Sequence, residues 1–308
     1  MKISVITIEY NNPELTMAML ESLARIDFRY ALEVIVVDNG SRTDAGNTIR
    51  AAYPEVRVVR SEQNLGFAGG NNLGLRYATG DYLFFLNNDT ELREDIISPL
   101  VDTLEAHPSI GLLCPEIRYY DQPEVVQYVG FTPMNPLTGR NRCLTELPTP
   151  SAPLLTTSFP HGAAMMVPRR IIERVGPMPD LFFLYYEEHD WAETIRRAGY
   201  QLVVQPDLVV YHKESQSVGK ISALKMYFMT RNRILFMRRN YGGPGLWLFW
   251  AYFLLLATPI QILTLAVRRD WANLRALMAG IGWNIRSSVG SPRLGYKFDY
   301  LRNAPAHA

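Results

Sequence analysis

The chain has 308 residues, 48% hydrophobic and 20% charged, which excludes a disordered chain and allows one large domain or two. Net charge is +1, but residues 219–308 carry thirteen Lys/Arg against Asp270 and Asp299, for +11, leaving 18 basic and 28 acidic groups, or −10, in residues 1–218. A basic tail on an acidic body points to an anionic partner, nucleic acid or membrane, for the tail.

The N-terminus, MKISVITIEY, opens as a strand over Ile3–Ile8 and lacks the pattern of a signal peptide. Asn12 then caps a helix with Pro13 at its first position, where a fixed φ helps. Leu15, Ala18, Met19 and Leu23 give that helix one apolar face. Leu32–Val37 is a second strand, closing on Asp38-Asn39-Gly40-Ser41; a helix runs to about Ala52, and Val56–Val59 is a third strand. The glycine-rich run Gly66–Gly74 leads into a helix with Gly80 as its stop. Tyr82–Leu86 is a fourth strand, turning polar at Asn87, Asn88, Asp89 and Thr90. Continuous apolar strands alternating with helices predict a parallel sheet covered on both faces. Asp38 and Asp89 then lie on its C-terminal edge, where such sheets bind ligands. Asp89 has two readings, a metal- or phosphate-handling carboxylate and a strand-ending turn residue.

A helix from Glu94 to about Ala106 and a short strand Ile110–Cys114 come next. Residues Pro115–Pro160 are irregular and rich in Pro, Thr and Tyr, as a functional loop would be. His161–Val167 returns to an apolar strand, and Leu181–Tyr186 leads to Glu187-Glu188-His189-Asp190-Trp191 and a helix closed by Gly199. Leu202–Val204 and Leu208–Tyr211 are strand-like and end at His212. The two cysteines, Cys114 and Cys143, have no metal-type spacing and form no disulfide framework, which fits a reducing compartment. Residues Gly245–Val267 contain no charge, flanked by Arg238-Arg239 and Arg268-Arg269, with Trp247, Trp250 and Tyr252 toward one end. About 20 such residues span a bilayer, so this reads as a membrane segment, with Pro259 marking a kink or a re-entrant hairpin. Leu274–Ile285 resembles an interfacial helix. The apolar run favours membrane over nucleic acid as the tail's partner.

The candidate chemistry rests on Asp38, Asp89, Glu187, Glu188, Asp190 and His212. Hard divalent cations take oxygen ligands and clamp diphosphates, a task open to Asp89 with His212. Crowding within Glu187–Asp190 raises a carboxylate's pKa toward that of a general base, although acids also favour a helix start for its dipole. Arg231 and Arg233 suit phosphate or, just before the apolar run, the membrane surface. No Walker motif, G-x-S-x-G elbow or HExxH is present.

VIVVDNGS, NLGFAGGNN-x-G, FFLNNDT, HGAAMMVPR, YYEEHDW with RRAGY, the H-K-E-S at His212 and TRNR at Thr230–Arg233 occur in this order. In that series the chain resembles family 2 glycosyltransferases of the bacterial rhamnosyltransferase-like subgroup. The resemblance implies a GT-A fold, α/β with a mostly parallel sheet over residues 1–218, followed by a helical, membrane-associated region over 219–308. It implies inverting transfer of one sugar from a nucleotide diphosphate, dTDP-rhamnose by default, to a glycan or lipid-linked acceptor. The enzyme would use Mn²⁺ or Mg²⁺ at the cytoplasmic face of the bacterial inner membrane. Asn87, Asp89 and His212 match the metal site, with Asn87 in the first place of a D-x-D-like motif. Glu188 matches the base, where Asp is more usual, and Asp190 the second acid. Tyr10, Asp38, Asn64, Gly66, Asn71, Asn88 and Arg231 fall on the donor side; Gly162, Ala163 and Trp191 fall toward the acceptor, Trp191 where Leu is usual. The Q-x-x-R-W motif of processive members is absent, which favours single additions. The alternatives are a sugar nucleotidyltransferase, which lacks its N-terminal phosphate loop here, and a non-catalytic binder of nucleotide sugars.

Overall fold

The computed structural model describes residues 1–147, 152–213 and 222–295. The chain begins β1 (Lys2–Glu9), α1 (Pro13–Ala24), β2 (Ala31–Asn39), α2 (Gly46–Ala52), β3 (Arg57–Ser61), α3 (Gly66–Leu75) and β4 (Tyr82–Leu86). It continues β5 (Thr90–Glu91), α4 (Ile97–Ala106), β6 (Ile110–Tyr119), and the short β7 (Val126–Tyr128), β8 (Gly130–Phe131), β9 (Cys143–Leu144) and β10 (Leu155–Thr156). Then come β11 (Ala164–Pro168), α5 (Arg169–Val175), α6 (Glu187–Arg197) and β12 (Gln201–His212). Four helices follow: α7 (Ala223–Asn240), α8 (Gly243–Tyr252), α9 (Thr258–Val267) and α10 (Trp271–Arg286).

The main sheet has the order β10-β12-β6-β11-β4-β1-β2-β3, with β5 on β12 and β7 on β6. The pairs β1–β2, β2–β3, β1–β4 and β6–β12 are parallel. β11 departs from the all-parallel expectation, running antiparallel between β4 and β6. β6 ends on the C-terminal edge, and the described residues of the irregular excursion after it form no crossover helix to carry the chain to the other edge. β11 therefore enters from that edge and places His161, Gly162 and Ala163 there. β6 runs to ten residues rather than stopping at Cys114. The two strands expected over 202–211 are one, with its register shifted between Gln205 and Val209.

Local details also differ. Asn12 makes no side-chain cap; its backbone N–H donates to Glu9 Oε1 at 2.8 Å. α3 ends at Leu75, so Gly80 is not its stop. Gly80 is needed for space, because a Cβ there would lie 2.6 Å from Ser4 N.

The expected boundary near 218 falls outside the described residues. Beyond it, α7 is no appendage: Tyr227, Phe228, Leu235 and Phe236 are fully buried in one core with Phe85, Leu112 and Trp191. α10, expected as an interfacial helix, packs along α7 and buries Ala276, Leu277 and Ile281. α8 and α9 run on as one helix through a π-helical stretch, Phe253–Ala257. Pro259 explains that stretch, because it has no N–H to donate back and its ring widens the preceding turn. Gly243–Val267 is thus a 25-residue helix, long and apolar enough to cross a membrane and mostly unburied.

Candidate active site

The turn after β4 is closed by Thr90, whose N–H and hydroxyl both donate to Asn87 O, at 3.2 and 2.7 Å. The chain reverses there into β5, which pairs with the end of β12 so that Thr90 faces His212. This register is what joins Asp89 to His212, about 120 residues away in sequence: His212 Nε2 lies 3.2 Å from Asp89 Oδ1. Gln127 Oε1 sits 2.8 Å from His212 Nδ1 and, as an acceptor, fixes a proton on that nitrogen. Nε2 is thereby aimed at the carboxylate. Burial raises the Asp89 pKa, but the hydrogen bond and charge that His212 supplies in its protonated form outweigh it and hold the carboxyl below its usual value.

Asp89 and His212 line a cavity of about 350 Å³ with Asn87, Gly162, Ala163 and Glu188. Asn87 N donates to Ala163 O at 2.9 Å, tying the two edges of the cavity together. Glu188 enters from the first turn of α6, where the helix dipole favours carboxylates. Its pKa, raised by burial, is brought below the usual value by His189, whose Nδ1 lies 3.3 Å from Glu188 Oε1. Asn141 Nδ2 lies 3.0 Å from His189 Nε2; with the amide donating, the proton of the neutral ring sits on Nδ1, facing Glu188. The upward shift expected for the acidic cluster falls instead on Glu187, through burial and the neighbouring Glu188 charge.

Asp89 Oδ1, Glu187 Oε2 and Glu188 Oε2 are buried atoms with no hydrogen-bond partner among the described residues. Orphaned acceptors are costly, so their convergence on one cavity marks a place for a ligand. Asp89 and His212 would suit a hard divalent cation, which favours oxygen and imidazole donors. Among the described residues no group of three His, Cys, Asp or Glu forms a closed metal cage.

The other expected site residues have these surroundings in the fold. Asp190 accepts from Arg239 Nε at 3.0 Å and Nη2 at 2.9 Å and from Asn240 Nδ2 at 2.7 Å, tying α6 to α7. Trp191 is core: it packs edge-on to Phe85 and donates to Gly176 O at 2.9 Å. Arg231 is fully buried, donates to Leu181 O at 3.0 Å and Arg293 O at 3.2 Å, and lies against Trp283, so it does not face a phosphate. Asp38 pairs with Arg60 Nη1 at 2.6 Å and accepts from Ser41 N at 2.9 Å. Asn64 Oδ1 accepts from Gly66 N at 2.8 Å, and Asn71 Nδ2 donates to Phe67 O at 3.2 Å. Gly66 has φ +74°, and a Cβ there would collide with Phe183 O at 2.1 Å. Asn88 donates to Thr16 Oγ1 at 2.9 Å, and Tyr10 is exposed at the end of β1.

Three contributors escaped sequence reasoning. His161 lines the cavity and is driven down to about 4, chiefly by burial and then by His212, so its ring is neutral. It lies inside the quoted HGAAMMVPR, but no spacing set it apart. Gln127 sits in the irregular stretch, where nothing distinguishes it. Asn232 is the middle of TRNR. Its Nδ2 reaches the carbonyls of Phe182, Leu184 and Tyr185 at 2.8–2.9 Å. Phe183, Tyr185 and Tyr186 are all left-handed, with φ of 68°, 70° and 74°. Such aromatic residues hold that conformation only when their surroundings impose it, and Asn232 with Arg231 does so. The clamped turn sets where α6 starts and hence where Glu188 points.

The family model "Glycosyl transferase family 2" matches residues 4–176. The chain belongs to glycosyltransferase family 2. Its relatives include the low-salt glycan biosynthesis hexosyltransferase of Haloferax volcanii, 24% identical over 238 residues, covering 76% of this chain and 74% of that protein. The N-acetylglucosaminyl-diphospho-decaprenol L-rhamnosyltransferase of Mycobacterium tuberculosis is 24% identical over 238 residues, covering 69% and 76%. Among solved structures, a mannosyltransferase from Pyrobaculum calidifontis in complex with GDP-Man and Mn²⁺ superposes with a TM-score of 0.56 at 19% identity, covering 92% of this chain and 87% of that one. The fold is GT-A.

Proposed function

We propose that this glycosyltransferase moves a single sugar, with inversion, from a nucleotide-diphosphate donor to a lipid-linked glycan acceptor in cell-surface polysaccharide assembly. The observation that carries this reading is the pair of partnerless carboxylate oxygens, on Asp89 and Glu188, in one cavity at the C-terminal edge of the sheet. Asp89 and His212 would hold Mn²⁺ or Mg²⁺, and such an ion would supply charge screening for a departing diphosphate. Asn87 lies beside them, at the donor side. Glu188, kept ionised by His189, accepts the proton of the acceptor hydroxyl as that oxygen attacks the anomeric carbon. Attack from the face opposite the diphosphate inverts the centre. Neutral His161 lines the cavity without adding positive charge next to the metal ligands. Tyr10 and Asp38, on the same edge at the ends of β1 and β2, stand on the side of the nucleotide base.

The relative named as an L-rhamnosyltransferase supports rhamnose as the sugar moved, and the diphospho-decaprenol in its name supports a lipid-linked acceptor. The long apolar helix, its arginine flanks and the basic C-terminal region support residence on the cytoplasmic face of the bacterial inner membrane. Residues 1–218 then carry the chemistry, and 219–308 carry the membrane contact. The test is a donor panel: purified full-length protein with dTDP-, UDP- and GDP-sugars and Mn²⁺ or Mg²⁺, read by nucleotide release. One donor is expected to turn over, and Asp89→Ala to abolish it; metal-independent turnover by that variant would contradict the metal site.

A further inference from the structure

Tyr185 lines the catalytic cavity, and its neighbour Tyr186 lines a second cavity of about 320 Å³. The second cavity lies between α7, the loop around residue 140 and the long apolar helix. Its cationic wall is Arg140, Lys225 and Arg233; its apolar wall is Met226, Met229 and Phe253. Among the described residues no acidic one lines it, and none of the three cations forms an ion pair with a described carboxylate. Arg233 is buried, with Thr138 O accepting from its Nε at 2.8 Å. Burial and the nearby Arg140 push Arg233 down to about 10, the effect expected of like charges gathered without a counterion. Only Arg233 is buried, donating to Thr138 O and lying over the Phe253 ring, while Arg140 and Lys225 stand exposed beside it, so the cavity presents cationic groups with no carboxylate in its described lining. An anion would balance their charge.

The neighbouring surface narrows the choice of anion. Phe253 begins the π-helical stretch, and beyond it Leu254, Leu255 and Leu256 are 43%, 74% and 56% exposed. An anion seated among the cations and carrying an apolar chain has a surface of matching character beside it. Two guanidiniums and an ammonium match a diphosphate better than a single phosphodiester. The wall shared with the catalytic cavity is short: Asn141 lines the second cavity and contacts His189, which contacts Glu188.

We infer that this basic cavity is the seat of the diphosphate of a polyprenyl-diphosphate-linked acceptor, with the polyprenyl chain lying along the exposed apolar helix and the sugar passing Tyr186 toward Glu188. This rests on the lipid-linked acceptor proposed above. It gives Arg233 and the loop around Arg140 a binding role, and it makes Tyr186 the divider between donor and acceptor anions.

The test uses full-length protein in phosphatidylcholine nanodiscs with EDTA present, so that the metal-dependent donor site is silent. The probe is farnesyl diphosphate, with farnesol and inorganic pyrophosphate as controls. Saturable binding of farnesyl diphosphate is expected, with weaker binding of each control. Arg140→Ala and Lys225→Ala, both at exposed positions, should each weaken it about tenfold; Arg233→Lys, checked by thermal melting for intact folding, should weaken it as well. Asp89→Ala should bind the probe like wild type. Unchanged affinity in folded Arg140→Ala and Lys225→Ala would overturn the site. Equal competition by phosphatidylglycerol vesicles would overturn the diphosphate assignment in favour of a general lipid headgroup contact. A parallel donor-induced thermal shift in Mn²⁺ separates the two readings. Loss of that shift in wild type, with cation-dependent probe binding kept, would sink the proposed transferase mechanism and uphold the cavity.

Discussion

Glu33 at the N-terminal edge of the sheet and the acids of the cavity at its C-terminal edge are treated in opposite ways. At the N-terminal edge, Glu33 on β2 is saturated: Lys2 Nζ lies at 2.8 Å, Gly80 N at 3.1 Å, and Ser4 and Thr79 also donate to it. Burial raises its pKa, but these donors override burial and bring it to about 2. At the C-terminal edge, Asp89, Glu187 and Glu188 each keep a buried oxygen with no partner among the described residues. The saturated edge holds the fold together, and the unsatisfied edge is left for a ligand. Burial alone does not mark a functional acid. Buried acceptor capacity that the protein itself does not fill is the better sign.

Substitutions at the two edges should therefore separate turnover from stability. The largest effect is expected at the open edge: Glu188→Gln should lower sugar transfer about 10²–10⁴-fold, measured as product formation, with the melting temperature little changed. Asp190→Asn should behave differently, because its partners Arg239 and Asn240 are structural. About 2–3 kcal/mol of unfolding free energy is expected to go, read by denaturant titration. A turnover loss equal to that of Glu188→Gln at full stability would return Asp190 to the reacting atoms. Asn232→Ala removes the amide that serves three carbonyls of the left-handed turn. About 1–3 kcal/mol is expected, along with increased hydrogen exchange over Phe182–Tyr186.

Glu33→Gln is the smallest at neutral pH, about 1 kcal/mol. Its signature is the acid limb. A carboxyl whose folded pKa is depressed stabilises the fold above its unfolded value near 4.5 and loses that contribution as pH falls through about 2. Wild type should lose up to ~3 kcal/mol across that window, and Glu33→Gln should lose visibly less. An identical acid limb in the two proteins would show that the N-terminal edge is not saturated as described.

Much of this was legible before the fold was known, and the parts that were not share a cause. The four leading parallel strands and the edge on which Asp38 and Asp89 lie follow from apolar runs and chain order, whereas the choice of Glu188 within its acidic cluster came from the family resemblance. The reversal of β11 was hidden because its sequence is as continuously apolar as a parallel strand's; only the path of the preceding loop sets its direction. Side-chain assignments failed where one residue type serves two ends. Arg231 suits a phosphate in sequence, yet it is spent on backbone carbonyls at Leu181 and Arg293. Asp190 sits in an acidic cluster, but α6 turns it toward α7 while Glu188 faces the cavity. A helical step of two residues rotates a side chain by more than half a turn, and no composition argument fixes which of two neighbouring acids faces inward.

The division of labour between Asp89 and Glu188 is the central claim, and donor binding measured apart from transfer tests it most directly. Donor-induced thermal shift in Mn²⁺ should be lost in Asp89→Ala and retained in Glu188→Gln, while neither variant transfers sugar. A full donor shift in Asp89→Ala, or transfer by Glu188→Gln at the wild-type rate, would contradict it.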